Sequence, residues 1–220
     1  MEDIIFMNKF IDIDQPMSKN PDRFSTLGIL LRGARHLSGR DLYNGIYKMK
    51  ELTKQNFKRQ TYFPNFFTGL INYLIFLEQL GGIFKIKGRA VPNQKNGIHL
   101  AFKNFFTLTD DKIFAIRALR NSLVHQYGLA TGKENGKNIK LIYKFTVSVE
   151  RNSEIVKLPL TTWDGSFSNK NDESNTTIYV IDLIDVIEKL YSKLKEEINN
   201  NNVEFNVSLD ELKARFTIII

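Results

Sequence analysis

The segment from Tyr62 to Leu80 is the most apolar in the chain, and it constrains the fold more than any other feature. Its apolar side chains cover most of the circumference of a predicted helix, so packed neighbours are needed on several sides. These residues are Phe66, Phe67, Leu70, Ile71, Leu74, Ile75 and Leu77. Pro64 suits a first turn, and Gly81-Gly82 indicates a C-terminal end. The segment therefore predicts the central helix of a bundle.

A membrane-spanning helix is the alternative interpretation of the same segment. Polar residues interrupt it at Asn65, Thr68, Asn72, Glu78 and Gln79. Its longest apolar run is far short of the roughly 20 residues that a membrane span needs. We therefore expect no membrane association.

The composition narrows both the chemistry and the compartment. The chain contains no cysteine, which excludes disulfides, thiolate metal ligands and a cysteine nucleophile and suits a reducing cytoplasm. The first residues, Met1-Glu2-Asp3-Ile4, lack the basic, apolar pattern of a signal peptide. We expect a cytoplasmic protein.

Helical spacing continues on both sides of the apolar segment. Asn20-Pro21-Asp22 combines a capping amide, a proline and an acid, and predicts a helix start with Phe24 on the core face. Ser38-Gly39 interrupts this pattern, and Thr109-Asp110-Asp111 predicts the start of a later helix. Flanking helices are expected over about 20–37, 40–53, 98–106 and 109–127.

From Ile139 the hydrophobic period changes to two, which is the pattern of a half-buried strand. Strands are expected over about 139–149, 155–160, 177–181 and 203–207, with the second returning beside the first. Asp182 is expected to cap an amphipathic helix, and Ser208-Leu209-Asp210-Glu211 has the capping-box spacing of a short one. Ile218-Ile219-Ile220 is expected to pack in the core or against a partner.

Together these patterns predict a mainly α fold, a helical bundle with a small antiparallel β-sheet insertion. A chain of 220 residues can bury such a core in one domain. We expect a single domain over 1–220, with the bundle in about 20–130 and 182–200, the β insertion in about 138–181 and a C-terminal extension in 203–220. No GxGxxG or phosphate-loop signature is present, which disfavours nucleotide-dependent oxidoreductases and kinases.

Basic residues are unevenly distributed. Lys and Arg total 31 against 24 Asp and Glu, a net charge of +7. Between Arg32 and Arg59 eight residues are basic and only two are acidic, a surface that would attract a polyanion. The alternative is a solvated, lysine-rich helix surface. Candidate phosphate contacts are Arg32, Arg35, Lys85, Lys87 and Arg89, together with Arg117.

Three aromatic residues, Tyr43, Tyr47 and Phe57, interleave with this basic segment. Aromatic rings among basic residues can serve as platforms on which nucleic-acid bases stack. The alternative, and the more common use of such residues, is burial in the core.

The strongest chemical motif is Arg120-Asn121-Ser122-Leu123-Val124-His125, near the end of a predicted helix. Histidine can take and return protons near neutral pH, and arginine can stabilise the extra charge of a phosphoryl transition state. Asn121 lies about 40° from His125 around a helix and could orient the ring, whereas Arg120 lies about 140° away. A second copy across a two-fold axis could complete such a site. The alternative is an ordinary core or surface histidine.

This motif resembles the R-x4-H signature of the HEPN superfamily, including the polar residue directly after the arginine. The resemblance covers about residues 20–130 and the helix after Asp182, and the HEPN subfamily is not assigned by it. It implies a bundle of four to five helices and a metal-independent endoribonuclease that acts on RNA as a homodimer. It also implies a role in toxin–antitoxin systems, abortive infection or other antiviral defence, with an antitoxin or defence-system partner.

The resemblance also implies a role for each motif residue. His125 would be the general acid/base for attack of the ribose 2′-hydroxyl on the adjacent phosphate, Arg120 would stabilise the charge, and Asn121 would orient the histidine or the substrate. Tyr127 extends the match to R-x4-H-x-Y and is a candidate site of modification. Its alternative is a tyrosine that ends the helix and packs on the core.

We expect no metal and no cofactor, because the sequence shows no clustered acids and no His/Cys ligand spacing. Two other functions remain open. One is a non-catalytic HEPN module that binds RNA or nucleotide or assembles with a protein. The other is a plain interaction protein whose sheet and C-terminal tail form a partner surface.

Overall fold

The computed structural model of the chain describes residues 2–11, 23–46, 62–89, 96–131 and 143–219. The chain divides into two compact units. Unit 1 consists of Met1–Thr107 and Ile187–Ile220, and unit 2 consists of Leu108–Val186. The single domain with the boundaries expected from the sequence stays a prediction.

Four helices form the main part of unit 1: α1 (Glu2–Ile11), α2 (Thr26–Leu37), α3 (Tyr62–Ile83) and α4 (Gly97–Phe105). Helix α3 packs against both α2 and α4. Its residues Leu70, Tyr73, Leu74 and Leu77 are fully buried. The apolar segment is therefore the central helix of a bundle, and this prediction is confirmed.

The sequence predicts that helix α3 ends at Gly81-Gly82, but the helix continues to Ile83. Gly81 instead allows α4 to approach closely, because a Cβ atom there would lie 1.9 Å from the carbonyl oxygen of Gly97. A Cβ atom on Gly97 would likewise lie 1.9 Å from the carbonyl oxygen of Glu78. These glycines therefore permit a backbone contact between two helices.

Two antiparallel strand pairs complete the backbone pairing of unit 1. Strand β1 (Arg23–Ser25) pairs with β7 (Thr217–Ile219), and β2 (Phe84–Ile86) pairs with β6 (Val203–Phe205). The short helix α7 (Leu209–Phe216) precedes β7, and the backbone N–H of Glu211 donates to Ser208 Oγ, as the capping-box spacing predicts. The C-terminal tail thus pairs with a strand near the other end of the chain.

The start of helix α2 differs from the prediction. The helix begins at Thr26, and the Ser25 side chain at its N-cap accepts from the backbone N–H of Gly28. Phe24 lies in β1, and the predicted start at residues 20–22 lies outside the described residues. The helix ends at Leu37, so the interruption expected at Ser38-Gly39 is confirmed. The second predicted helix is not formed over residues 40–46, which are turns and loop, and its remainder, from 47 to 53, lies outside the described residues.

Helix α6 (Val180–Asn199) confirms the predicted amphipathic face. All of its expected core residues are buried: Leu183, Ile184, Ile187, Leu190, Tyr191, Leu194 and Ile198. The helix begins two residues before Asp182, so this acid lies in the first turn instead of capping it. Residues 180–186 belong to unit 2 and 187–199 to unit 1.

Unit 2 contains helix α5 (Asp110–Gln126) and a three-stranded sheet in the order β3 (Lys144–Ser148), β5 (Asn175–Tyr179), β4 (Val156–Lys157). Strand β3 is parallel to β5, and β4 is antiparallel to it. The second strand therefore does not return directly beside the first, because β5 lies between them. A mainly α fold with a small β-sheet is nevertheless confirmed.

Within the described residues, one helical segment, Asn65–Ile83, is long and apolar enough to cross a membrane by length and composition alone. More than half of it is buried inside the protein, as in the core helix of a soluble protein. The structure is compatible with a soluble protein.

Candidate functional site

The Arg120–His125 motif lies in the last two turns of α5, in unit 2. The helix begins after Thr109, with Asp110 and Asp111 in its first turn. Its buried face is formed by Ile113, Ala115, Ile116, Leu119, Ser122 and Leu123. Because this face turns inward, Arg120 and Asn121 are half-buried at its edge, and His125 is exposed.

Arg120 and Asn121 are in direct contact. The Arg120 guanidinium donates through Nη1 to Asn121 Oδ1 at 3.2 Å. The Asn121 amide oxygen therefore faces Arg120, the residue that the resemblance to HEPN proteins predicts to stabilise the charge of the transition state. The catalytic roles of Arg120, Asn121 and His125 stay predictions.

Arg117 joins this group on the same helix. Arg117, Asn121 and His125 are spaced four residues apart, and each lies about 40° further around the helix than the one before. Arg117 is half-buried. Its predicted phosphate contact would thus lie on the same stripe as the motif, about 12 Å from His125 along the axis.

The turn after the motif has an unusual backbone. Tyr127 ends the helix in the left-handed region, with φ 49° and ψ 37°, and its N–H donates to the Leu123 carbonyl. For a residue other than glycine this conformation costs roughly 1–2 kcal/mol. The buried Ser122 hydroxyl lies 2.9 Å from the carbonyl oxygen of Gly128 and 2.8 Å from that of Ala130. The buried Ser122 therefore connects the helix to the turn that follows it through hydrogen bonding.

Tyr127 is 63% exposed. The alternative in which this tyrosine packs on the core is therefore wrong, because most of its surface remains in water. Val124 and Leu129 are also exposed apolar residues. The end of α5 thus carries an exposed histidine, an exposed aromatic ring and two exposed aliphatic side chains.

Arg35 is not available as a surface phosphate contact, which corrects the prediction. It is 2% exposed, and its guanidinium donates to Glu188 through Nε at 2.9 Å and through Nη2 at 2.7 Å. Its Nη1 donates to the carbonyl oxygens of Leu42 and Tyr43. Burial alone would lower the pKa of Arg35, but the Glu188 carboxylate more than offsets this and raises it.

Glu188 is the centre of a buried polar cluster in unit 1. Tyr73 donates its hydroxyl hydrogen to Glu188 Oε1 at 2.5 Å, and burial, followed by the Glu188 charge, raises the pKa of Tyr73. Arg40 donates to the Gly45 carbonyl at 2.7 Å. Gly45 has φ 70°, and a Cβ atom there would lie 2.5 Å from the Glu188 carboxyl carbon. The cluster therefore holds loop 41–46 against the helices.

The basic segment that follows α3 consists of strand β2, which contains Lys85, and the turn after it. It lies at the surface, but its cations have protein partners. Lys85 forms a 3.0 Å ion pair with Glu204, and the exposed Lys87 donates to Asn201 Oδ1. The exposed Arg89 donates to the carbonyl oxygens of Lys103 and Asn104 near the end of α4. A phosphate at this loop would have to share or replace these contacts.

The remaining candidates of the basic segment are only partly described. Arg32 is half-buried, and Tyr43 is exposed, so the core alternative does not hold for Tyr43. The aromatic and basic residues of this segment after position 46 lie outside the described residues: Tyr47, Phe57, Lys48, Lys50, Lys54, Lys58 and Arg59. Arg32, Arg35, Lys85, Lys87 and Arg89 all belong to unit 1, whereas Arg117 and the R-x4-H motif belong to unit 2.

Ser122 lies inside the motif, but no role was predicted for it from the sequence. It lies between Leu119 and Leu123 on the core face, where a polar side chain needs a hydrogen-bonding partner. That position is the signal in the sequence, because a serine on an apolar stripe one turn before a helix end can reach the carbonyls of the next turn. Among the described residues no group of three or more His, Cys, Asp or Glu could hold a metal ion.

Comparison with models of protein families, with curated proteins and with solved structures found no match for this chain.

Proposed function

We propose that this protein is a metal-independent endoribonuclease of the HEPN type. The observation that carries the proposal is the arrangement at the end of α5. An exposed His125 follows, one turn later, an Arg120 and Asn121 that are hydrogen-bonded to each other. This combines an accessible proton acceptor with a permanent cation suited to phosphate oxygens.

In the proposed reaction the His125 imidazole accepts the proton of a ribose 2′-hydroxyl. The 2′-oxygen then forms a bond to the adjacent phosphorus, and the bond from phosphorus to the 5′-oxygen of the next nucleotide breaks. Arg120 stabilises the additional negative charge on the phosphoryl oxygens. The leaving 5′-oxygen takes up the proton that the His125 imidazole accepted, so that the imidazole is restored and the products are a 2′,3′-cyclic phosphate and a 5′-hydroxyl.

A homodimer is part of this proposal. Arg120 and His125 are about 140° apart around one helix, so two copies of α5 facing each other would surround a phosphate more completely than one copy. The proposed setting is cytoplasmic, in a toxin–antitoxin, abortive-infection or other antiviral defence system. Tyr127, the candidate site of modification, is exposed and therefore accessible to an antitoxin that modifies it.

The 2′-hydroxyl requirement tests the reaction. The purified protein should cleave single-stranded RNA or tRNA in EDTA and leave a cyclic phosphate. An oligonucleotide of the same sequence with 2′-O-methyl groups should bind but remain intact. Cleavage of the methylated strand, or loss of cleavage in EDTA, would contradict the mechanism.

Growth of expressing cells tests the biological role. Expression of the wild-type protein should arrest growth, whereas Arg120→Ala should not. Arg151→Ala is a matched control, because it removes an exposed arginine of the same unit that pairs with Asp182 and Asp185. Equal arrest by wild type and Arg120→Ala would contradict a role for the motif.

The charge distribution favours a second candidate, a non-catalytic RNA-binding module. Unit 1 contains 21 Lys plus Arg against 14 Asp plus Glu, and unit 2 contains ten of each. The entire net charge of +7 therefore belongs to unit 1, and the motif belongs to a neutral unit. This candidate predicts RNA binding that weakens steeply with salt and is unchanged in His125→Ala, with no cyclic-phosphate product.

A further inference from the structure

The C-terminal turn of α5 contains a tyrosine where the backbone favours glycine. Tyr127 has φ 49°, a region that glycine occupies without steric cost. A glycine does follow, but at position 128. The helix could therefore end with less strain if the residue at position 127 were glycine or asparagine.

Packing in the fold buries only the smaller part of this tyrosine. A buried tyrosine would stabilise the protein through the apolar area that it removes from water, but Tyr127 is 63% exposed. Residues held in sparsely populated backbone regions cluster at active sites and ligand contacts, and most of the Tyr127 surface is accessible to a ligand.

The turn holds Tyr127 in a defined place beside the motif. The Tyr127 N–H donates to the Leu123 carbonyl, and the Gly128 N–H donates to the Ser122 carbonyl. The buried Ser122 hydroxyl lies within hydrogen-bond distance of the Gly128 and Ala130 carbonyl oxygens. The Cα atoms of His125 and Tyr127 are within about 7 Å of each other, because only one residue lies between them along the chain. A backbone placed in advance in this way reduces the entropy lost when the side chain binds a flat partner.

We propose that Tyr127 stacks on the base of a nucleotide next to the cleaved phosphate and so selects RNA that is unpaired at that nucleotide. The inference rests on the proposed ribonuclease function, because His125 determines where the phosphate lies. A base in a duplex is already stacked and paired, whereas an unpaired base offers its face to an aromatic ring. Exposed Val124 and Leu129 extend the apolar surface around the ring.

Binding is measured first, on a His125→Ala background so that the RNA stays intact. The probe is a fluorescein-labelled single-stranded RNA of mixed sequence in EDTA, and anisotropy gives the dissociation constant. Adding Tyr127→Gly should weaken binding by about 5- to 150-fold, the range typical of one lost base–aromatic stack. Tyr127→Phe and Tyr127→Trp should bind within about threefold of the background, because both retain a ring that can stack.

Stability and a matched aromatic control separate stacking from a structural role. The thermal midpoint of Tyr127→Gly should equal or exceed that of wild type, since glycine relieves the left-handed strain. Phe167→Ala removes another exposed aromatic ring of the same unit (77% exposed) and should leave RNA binding unchanged. Cleavage by the wild type should favour the single strand over the same sequence in a duplex by at least tenfold.

The outcomes distinguish this inference from the proposed function. If RNA binds and depends on the Tyr127 ring but is not cleaved by the wild type, the stacking contact stands and the nuclease fails. If the wild type cleaves RNA and Tyr127→Gly binds as tightly as its background, the stacking contact is overturned and the nuclease stands. Weakened binding by Tyr127→Phe, or equal cleavage of duplex and single strand, would also overturn it.

Discussion

Unit 1 and unit 2 each contain an arginine beside a polar partner, and the two arginines are used in opposite ways. Arg35 in unit 1 is buried and donates to Glu188 and two backbone carbonyls. Arg120 in unit 2 is half-buried and contacts Asn121 one turn before an exposed histidine. Both were candidates for phosphate recognition in the sequence. A structural arginine such as Arg35 is bonded to groups that are shielded from solvent. A candidate functional arginine such as Arg120 lies near a residue that is exposed to solvent.

The units also differ in charge. Unit 1 carries the whole net charge of +7, and unit 2 is neutral. The charge that would attract a polyanion over a long range thus belongs to unit 1, whereas the residues proposed for proton transfer and phosphate recognition lie on α5. Substitutions in unit 1 should mainly change the free energy of unfolding or the salt-dependent affinity for RNA. Substitutions around α5 should mainly change the rate of RNA cleavage.

The largest effect on stability is expected from Glu188→Ala. It leaves Arg35 buried without its carboxylate, and loss of one partner of a buried ion pair costs about 3–5 kcal/mol of the free energy of unfolding. Urea denaturation measures the change. The matched control is Glu196→Ala on the same helix, whose carboxylate forms a surface pair with Lys193 at 3.0 Å and should cost less than about 1 kcal/mol. Similar costs for both would contradict the structural role of Arg35.

A nearly equal effect is expected from Gly81→Ala. The new methyl group would overlap the backbone of α4, and forced separation of packed helices should cost about 3 kcal/mol. Gly82→Ala is the neighbouring control, because nothing lies within 4 Å of a Cβ atom there and alanine favours a helix by up to about 1 kcal/mol. A thermal midpoint for Gly81→Ala equal to that of Gly82→Ala would show that α3 and α4 do not meet at this glycine.

A smaller effect is expected from Ser122→Ala in unit 2. It removes the hydroxyl that bonds the Gly128 and Ala130 carbonyls, at a cost of about 1 kcal/mol in stability. Since the same turn positions Tyr127, RNA binding should weaken by more than the stability loss explains. Ser192→Ala tests a serine whose hydroxyl donates to a carbonyl of its own helix, and it should leave both properties unchanged. Unchanged RNA binding in Ser122→Ala would separate the turn from recognition.

The smallest effect is expected from Arg151→Ala. Arg151 pairs with Asp182 and Asp185, but its side chain is exposed, and surface pairs contribute about 0–1 kcal/mol. The contribution should shrink further as salt is added. A loss approaching that of Glu188→Ala would show that the exposed Arg151 pairs stabilise the protein as much as the buried Arg35 pair does.

The sequence predicts the elements whose stability depends on local periodicity. The apolar stripes of α3 and α6, the end of α2 before Ser38 and the capping of α7 at Ser208 all follow from residues close together in the chain. The site motif is equally local, since one helix carries Arg117, Asn121 and His125 on adjoining turns.

Features that depend on distant partners were not predictable in the same way. Strand β3 pairs with β5, which begins 27 residues after β3 ends, and the intervening β4 lies on the other side of β5. The role of Gly81 depends on α4, and the burial of Arg35 depends on Glu188, 153 residues away. The exposure of Tyr127 was likewise not predictable from the sequence, because the helical periodicity is also compatible with a buried ring.

The most direct measurement is the rate of RNA cleavage in EDTA by wild type, His125→Ala and His36→Ala. His36 is the matched control, because it is also exposed and lies near the end of a helix, but in unit 1. Removal of a general acid/base lowers a rate by about 10²- to 10⁴-fold, so His125→Ala should lose cleavage by that factor without a change in thermal midpoint, and His36→Ala should retain it. Cleavage at the wild-type rate by His125→Ala would contradict the proposal that the end of α5 is the active site.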